Sequence, residues 1–277
     1  MACHNIKTMK LYQDVDRVFN ELRELGLNDD DAIDIVQLSQ FDQYHYFGTK
    51  AVDHAISRLG LSSDMTVLDV GSGIGGPARY LADRVGCRVV ALELQPDLNE
   101  TAMTLTRRCG LSEKIVHRCG DILAPSPEES KYDALVSWLA FLHISDRATL
   151  YSRCRDALKP GASMYVEDFF ARDTLTAQER ESLSRNIYCD YCPKLEEIKN
   201  QLSEAGFVDI EADDMTQEWQ TYVANRYADF QRGRERHIKV HGIEIVEGLE
   251  HFYESVTKLF GGGRWGGLRF CARRSSS

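Results

Sequence analysis

The stretch VLDVGSGIGGPARYLADRVGCRVVALELQ, residues 67–95, constrains this chain more than any other. A β-branched apolar run leads into clustered glycines, then an amphipathic segment, a second β-branched run and an acid. Such glycines let the backbone turn sharply from strand to helix and admit a ligand close to the main chain. Gly71, Gly73 and Gly76 fit the spacing G-x-G-x-x-G, with Glu93 where a ribose-binding carboxylate falls. The glycines alone leave the nucleotide open.

Around this stretch the hydrophobic period changes near residue 65. Before it, Val15, Val18, Phe19 and Leu22 recur at helical spacing, and NDDDAIDIVQL predicts a further helix behind an Asn/Asp cap. After it, TVLDV, RVVALE, KIVHRC, DALVSW and SMYVED read as strands. PARYLADRV, LNETAMTLTRRC and DRATLYSRCRDAL read as the helices between them, with KPG at 159–161 ending the last. Strands separated by helices need crossovers, so a parallel sheet with helices on both faces is predicted. KLEEIKNQLSEAGF and VDIEAD continue the pattern to residue 213, and RWGGLRFCARR supplies a final strand.

The predicted organisation is one domain over 1–277. It divides into an N-terminal helical cap or lid (1–55), a cofactor-binding core (56–213), a helical insertion over one sheet edge (214–260), and the last strand and tail (261–277). With 43% hydrophobic residues in 277, the chain can bury such a core. A formal net charge of −10 argues against a nucleic-acid partner. The one basic run, Arg232, Arg234, Arg236 and Lys239, reads as a solvated helix face. The N-terminus lacks a signal-peptide core and no apolar run approaches the roughly 20 residues that cross a bilayer, so a cytoplasmic location is expected. Eight cysteines are scattered along the chain. Cys189 and Cys192 form a lone C-x-x-C without further ligands, so no metal site is predicted.

Asp69 separates the cofactor readings. It lies two residues before Gly71, at the carboxyl end of its strand, where it would face the pyrophosphate of NAD. Two like charges at about 4 Å cost about 1 kcal/mol in water and about 4 at an effective dielectric of 20. S-adenosylmethionine has no phosphate and carries a sulfonium and an ammonium, so the same acid helps. Glu93 can accept both ribose hydroxyls. Asp121, in CGDIL, is placed for the adenine amino group with Ile122 against the ring.

These motifs together resemble class I S-adenosylmethionine-dependent methyltransferases. VLDVGSGIGG resembles the family's first motif, LEL its acidic second-strand end, GDIL its adenine contact, DALVSWLAFLHI its fourth strand and KPGASMYVEDF its fifth. The resemblance covers about residues 60–213. It implies an α/β, Rossmann-like, doubly wound seven-stranded sheet whose last strand runs antiparallel. It also implies a cofactor site of Asp69, Gly71, Ser72, Gly73, Gly75, Glu93, Leu94, Gln95, Asp121, Ile122 and Trp138. FLHIS, EGLEHF and GGGRWGGLRF bring the sequence nearest to sarcosine/dimethylglycine enzymes and then to phosphoethanolamine methyltransferases. The implied activity is methylation of a small metabolite, with nitrogen the expected acceptor atom and S-adenosylhomocysteine the product.

Methyl transfer to an amine needs an unprotonated lone pair held in line with the methyl group. His143 is the candidate base, with a pKa expected near neutrality; its bland alternative is a histidine tying a loop to a carbonyl. Tyr44, His45 and Tyr46 in FDQYHYFGTKAV offer aromatic surface for a lid over an alkylated cation. Tyr46 joins His143 as a catalytic candidate. Tyr44, His45, Asp168 and Tyr188 are the substrate candidates. Relatives carry an acid at the position of Leu139, and Leu139, Phe141, Phe169 and Phe170 suggest a greasier pocket. They support a second reading, C- or O-methylation of a sterol, quinone or tocopherol-like acceptor. A third is a non-catalytic module that binds adenosylmethionine.

Overall fold

The computed structural model describes residues 14–125 and 130–276. Part of the expected cap, residues 1–13, lies outside the described residues. The cap that is described contains α1 (Arg17–Glu24), α2 (Ile35–Leu38) and α3 (Thr49–Leu59). The helix expected over NDDDAIDIVQL shrinks to the single turn of α2, capped by Asp34 rather than by Asn28. Upstream, the Asp31 carboxylate accepts from both the backbone and the side-chain N–H of Asn28, at 2.7 and 3.0 Å. That local turn competes with a helical start.

Strands and helices then alternate: β1 (Thr66–Val70), α4 (Gly76–Arg84), β2 (Arg88–Glu93), α5 (Pro96–Arg108), β3 (Ile115–Cys119), β4 (Tyr132–Trp138), α6 (Arg147–Ala157) and β5 (Leu158–Ala171). Pro77 and Pro96 stand in the first turns of α4 and α5, where a missing N–H costs nothing. Asp146 caps α6 by accepting from Thr149 N–H at 3.0 Å. KPG does follow the end of α6, but it lies within β5, whose pairing with β4 shifts register between Tyr132 and Ala134. The chain continues through α7 (Ala177–Ser182), α8 (Leu195–Glu204), β6 (Phe207–Asp214), α9 (Thr216–Arg232), α10 (Arg234–His241), α11 (Ile243–Gly261) and β7 (Trp265–Arg274).

Among the described residues the seven strands form one sheet in the order β3-β2-β1-β4-β5-β7-β6. β7 runs antiparallel to both β5 and β6, and the other pairs are parallel. This is the α/β, Rossmann-like sheet that the motif order implies. Register sets Asp69 beside Ala91, Glu93 beside Cys119 and Trp138 beside Glu167, so one end of the sheet collects the polar strand tips.

Apolar clusters cover both faces. One packs β1, β4, β5 and β7 against α6 and α8; the other packs β1, β2, β4 and β5 against α3 and α4. Between β6 and β7, α9 lies on β7 through Trp219. A Cβ at Gly267 would stand 2.3 Å from that indole, so glycine is needed there. Nearby, α10 reaches back to α1. Arg236 and Lys239 pair with Glu21 and Glu24, Arg234 pairs with Glu250, and Arg232 with Asp229, so the basic run is an ion-paired face. No helix among the described residues is long and apolar enough to cross a membrane.

Candidate active site

A cavity of about 480 Å³ opens at the carboxyl ends of β1, β2 and β4, within the range usual for small-molecule sites. Its floor is the turn from β1 to α4. Gly71 (φ +74°) and Ser72 both donate backbone N–H bonds to the Leu92 carbonyl, at 2.9 and 3.1 Å. A Cβ on Gly71 would lie 2.2 Å from the Cβ of Ala140, so the loop can follow this path only with glycine. Glu93 braces the loop from β2. One carboxylate oxygen accepts from Gly73 N–H at 2.8 Å and the other from Gln95 N–H at 2.9 Å.

Asp42, Asp69, Glu93, Asp121 and Asp146 all line this cavity, and no lysine or arginine is among its described lining residues. Asp42 is neutralised behind the wall by Arg79, 2.9 Å away, with both side chains almost wholly buried. Asp69 has no such partner. It is 1% exposed, and its Oδ2 is buried without a hydrogen bond. Burial, and then the neighbouring Glu93, push its pKa up to about 8. Burial also raises that of Glu93. A carboxylate held in this way is waiting for a positive charge or a donor. Ser72 Oγ, Gln95 Oε1 and Trp138 Nε1 are likewise buried and unpaired, and all three residues line the cavity. The donor set therefore fits a cationic nucleoside with many polar atoms and opposes a diphosphate.

All the residues expected at the cofactor, except Gly75, line this cavity. Gly75 lies just beneath, at the start of α4, where an added Cβ would meet Arg79 and His117. Asp121 is exposed at the rim and accepts from Leu123 N–H at 2.9 Å. Leu94 is also largely exposed, and Ile122 is half-buried. Trp138 stands 5.4 Å, ring to ring, from His45.

The catalytic and substrate candidates divide. Tyr44, His45 and His143 line the cavity. Tyr46 does not: it is buried in an aromatic cluster, 4.8 Å from Trp219 and 5.4 Å from Tyr222. Asp168 is not at the wall either. Its carboxylate accepts from Leu142 and Phe169 N–H at 2.8 and 2.6 Å, and burial raises its pKa to about 6. Its place is under the turn that carries His143. Tyr188 contributes its carbonyl rather than its ring, accepting from His143 Nδ1 at 3.1 Å. Burial drops the pKa of His143 to about 4, well below the near-neutral value expected from the sequence. His45 is lowered to about 4 by the same cause while its Nε2 donates to the Gly48 carbonyl at 3.0 Å.

Of the four residues that suggested a greasy pocket, only Leu139 is at the wall. Phe141 and Phe170 are in the core cluster, and Phe169 is in the aromatic cluster with Tyr46. Leu139 holds φ +53°, an unusual conformation for a branched side chain, at the point where β4 enters the site. Sequence reasoning missed the Asp42–Arg79 pair, which fastens the cap segment to α4 across 37 positions. An isolated aspartate in FDQYHYF gives no local sign of such a partner.

Residues 67–161 match the model of a methyltransferase domain. The chain is 27% identical over 168 residues to the glycine/sarcosine/dimethylglycine N-methyltransferase of Actinopolyspora halophila, covering 61% of this chain and 30% of that protein. It is 26% identical over 192 residues to phosphoethanolamine N-methyltransferase 1 of Arabidopsis thaliana, covering 69% and 38%. The chain thus spans well under half the length of these curated relatives. Among solved structures, Haemonchus contortus phosphoethanolamine N-methyltransferase 2, in complex with phosphomonomethylethanolamine and S-adenosylhomocysteine, superposes with a TM-score of 0.77. That match is 22% identical and covers 96% of this chain and 60% of that one. The methyltransferase-domain match over residues 67–161, together with these relatives, supports a class I S-adenosylmethionine-dependent methyltransferase, whose cofactor would bring the positive charge that this acid-lined cavity lacks.

Proposed function

We propose that the protein transfers a methyl group from S-adenosylmethionine to a nitrogen of a small amine, of the kind named for its relatives, sarcosine and dimethylglycine included. The observation that carries this reading is the buried Asp69, whose Oδ2 has no hydrogen bond, in a cavity ringed by acids with no lysine or arginine among its described lining residues. In this reading Asp69 holds the ammonium of the cofactor, Glu93 the ribose hydroxyls, and Asp121 with Ile122 the adenine. Gly71, Ser72 and Gly73 give the ligand close approach to the backbone, and Gln95 and Trp138 supply further polar contacts.

The cofactor supplies a methyl group already activated by its sulfonium. What the chain adds is alignment of the acceptor, exclusion of water and control of one proton. The acceptor nitrogen's lone pair would be held in line with that methyl group at the part of the cavity lined by Tyr44, His45 and His143, and would replace sulfur on the methyl carbon. The surplus proton on nitrogen goes to a base or to water. With Nδ1–H committed to Tyr188, the lone pair of His143 is on Nε2 and can accept that proton directly or orient a water. A histidine held near 4 is too weak to strip an ordinary ammonium on its own. The burial that weakens it also lowers the pKa of an ammonium bound beside it, which favours reaction as the free amine. Tyr44 and His45 form the aromatic side of the acceptor pocket, and Tyr46 and Asp168 act from behind the wall as supports.

An apolar acceptor is the weaker reading, because three of its four supporting side chains point into packed cores. Incubation with a metabolite pool and deuterated donor, followed by mass spectrometry, tests the proposal. Label in a water-soluble amine supports it. Label only in an organic extract favours the apolar acceptor, and cofactor uptake without any labelled product favours a binding module. Firm uptake of NAD with none of the sulfonium compound would overturn the cofactor assignment.

A further inference from the structure

The contact between the cap and the insertion contains a side-chain set that the proposed transfer does not use. His237 and His241 stand one turn apart on α10, with rings nearly parallel at 15° and centroids 6.2 Å apart. Glu21 approaches them from α1, and one ligand atom from each of the three residues falls within 4.8 Å of the others. Glu21 Oε1 lies 2.9 Å from His241 Nε2. With Nε2–H donating there, His241 Nδ1 is a buried acceptor that has no partner among the described residues. Burial lowers the pKa of both histidines, so both are neutral and carry a lone pair at pH 7.

We propose that Glu21, His237 and His241 form a site for a divalent transition-metal cation of the zinc class, which clamps α1 to α10. Two imidazoles and a carboxylate are the donors of three-ligand zinc sites, with the fourth position left to water. Donor atoms around a tetrahedral zinc stand about 3.3 Å apart. Glu21 Oε1 and His241 Nε2, 2.9 Å apart, already stand near this spacing; ligation through Nε2 moves the imidazole proton to Nδ1, and closure by His237 requires its ring to leave its stack on Phe230.

Arg236 is the competitor, because it donates to both Glu21 oxygens at 3.0 and 2.5 Å. The cation must displace it. Glu24 already acts on the same guanidinium and can receive it. Arg17 is the other cation that bears on His241. The charge balance is favourable only while Glu21 is ionised, and Arg236 and His241 both hold its pKa low. The consequence is positional. α1 packs through Val18 and Leu22 on Ile74, Leu98 and Leu105, and Ile74 and Leu98 line the cofactor cavity, so a clamped α1 braces that wall.

The test is a titration of the reduced, chelator-stripped full chain with Co²⁺ and Zn²⁺. The expected result is saturation at one equivalent, a tetrahedral cobalt spectrum without thiolate-to-metal charge transfer, and a Tm raised by several degrees. His241→Ala and His237→Gln should each weaken uptake by at least about tenfold. Arg236→Gln should tighten it several-fold by freeing Glu21, a result that a simple ion-pair cluster does not give. Absence of saturable uptake in both the parent chain and Arg236→Gln overturns the proposal. So does uptake that survives His241→Ala or shows a thiolate band.

Discussion

His143 Nδ1 lies 3.1 Å from the carbonyl oxygen of Tyr188, a residue 45 positions away whose own φ is +57°. The bond fixes the imidazole as the tautomer with its lone pair on Nε2 and holds the ring at the cavity wall. His143→Ala is therefore expected to lower kcat by about 10²- to 10⁴-fold, the usual share of a general base. The dissociation constant of S-adenosylmethionine should stay within about twofold, since the proposed cofactor contacts, Trp138 apart, lie at the ends of β1, β2 and β3. Stopped-flow or radiolabel kinetics beside calorimetry separates the two quantities. Equal loss in both would make His143 a purely structural residue.

The backbone of the loop gives a second expectation. Gly71→Ala puts a Cβ into Ala140 and asks alanine to hold φ +74°. The left-handed conformation costs about 1–2 kcal/mol and the overlap about 1–3 more. Thermal unfolding should show a Tm lower by several degrees, with cofactor affinity falling alongside. An unchanged melting curve with unchanged affinity would mean that the loop follows another path.

The sheet and the glycine turn between β1 and α4 were legible in the sequence because their signals are local. A β-branched run, glycines and strand-tip acids each declare themselves within a few residues, and the alternation of strand and helix fixes where the tips gather. What was hidden depends on pairings across the chain. Asp42 finds Arg79 through tertiary packing that no spacing announces, and although a carbonyl tie for His143 was one reading of the sequence, nothing in it pointed to Tyr188 as the partner. The lid stretch shows the same limit: FDQYHYF looks uniform, yet Tyr44 and His45 face the cavity while Tyr46 turns into the Trp219 cluster. The pKa of His143 was misjudged for a related reason, since burial rather than residue type sets it.

Glu93 does two jobs, and a ligand series can separate them. It braces Gly73 and Gln95, and in the proposed function it accepts the ribose hydroxyls. Charge-assisted hydrogen bonds contribute about 1.5–3 kcal/mol each, so Glu93→Ala should weaken cofactor binding by about 10- to 100-fold. With an analogue lacking both ribose hydroxyls the parent chain should already be weak, and the mutation should then change affinity little. A full loss with that analogue would assign the effect to the loop brace alone.

In the proposed function, Asp69 links cofactor binding to pH. Its pKa, raised from 3.8 to about 8 by burial and by Glu93, leaves the carboxyl protonated in the free protein at neutral pH. Between those two values the folded state holds a proton that the unfolded state has lost, so this group makes the ligand-free protein less stable as pH rises from about 4 to 8. An arriving ammonium needs the carboxylate, so binding at pH 7 should expel close to one proton, and affinity should climb with pH and level off above 8. Calorimetry in buffers of different ionisation enthalpy measures that proton directly. Asp69→Asn should abolish its release and weaken binding by about 10- to 100-fold. The same change should raise the Tm of the ligand-free chain at pH 8, because a neutral amide is buried there at less cost than a carboxylate. Undiminished proton release from Asp69→Asn would move the cationic contact to another acid of the cavity.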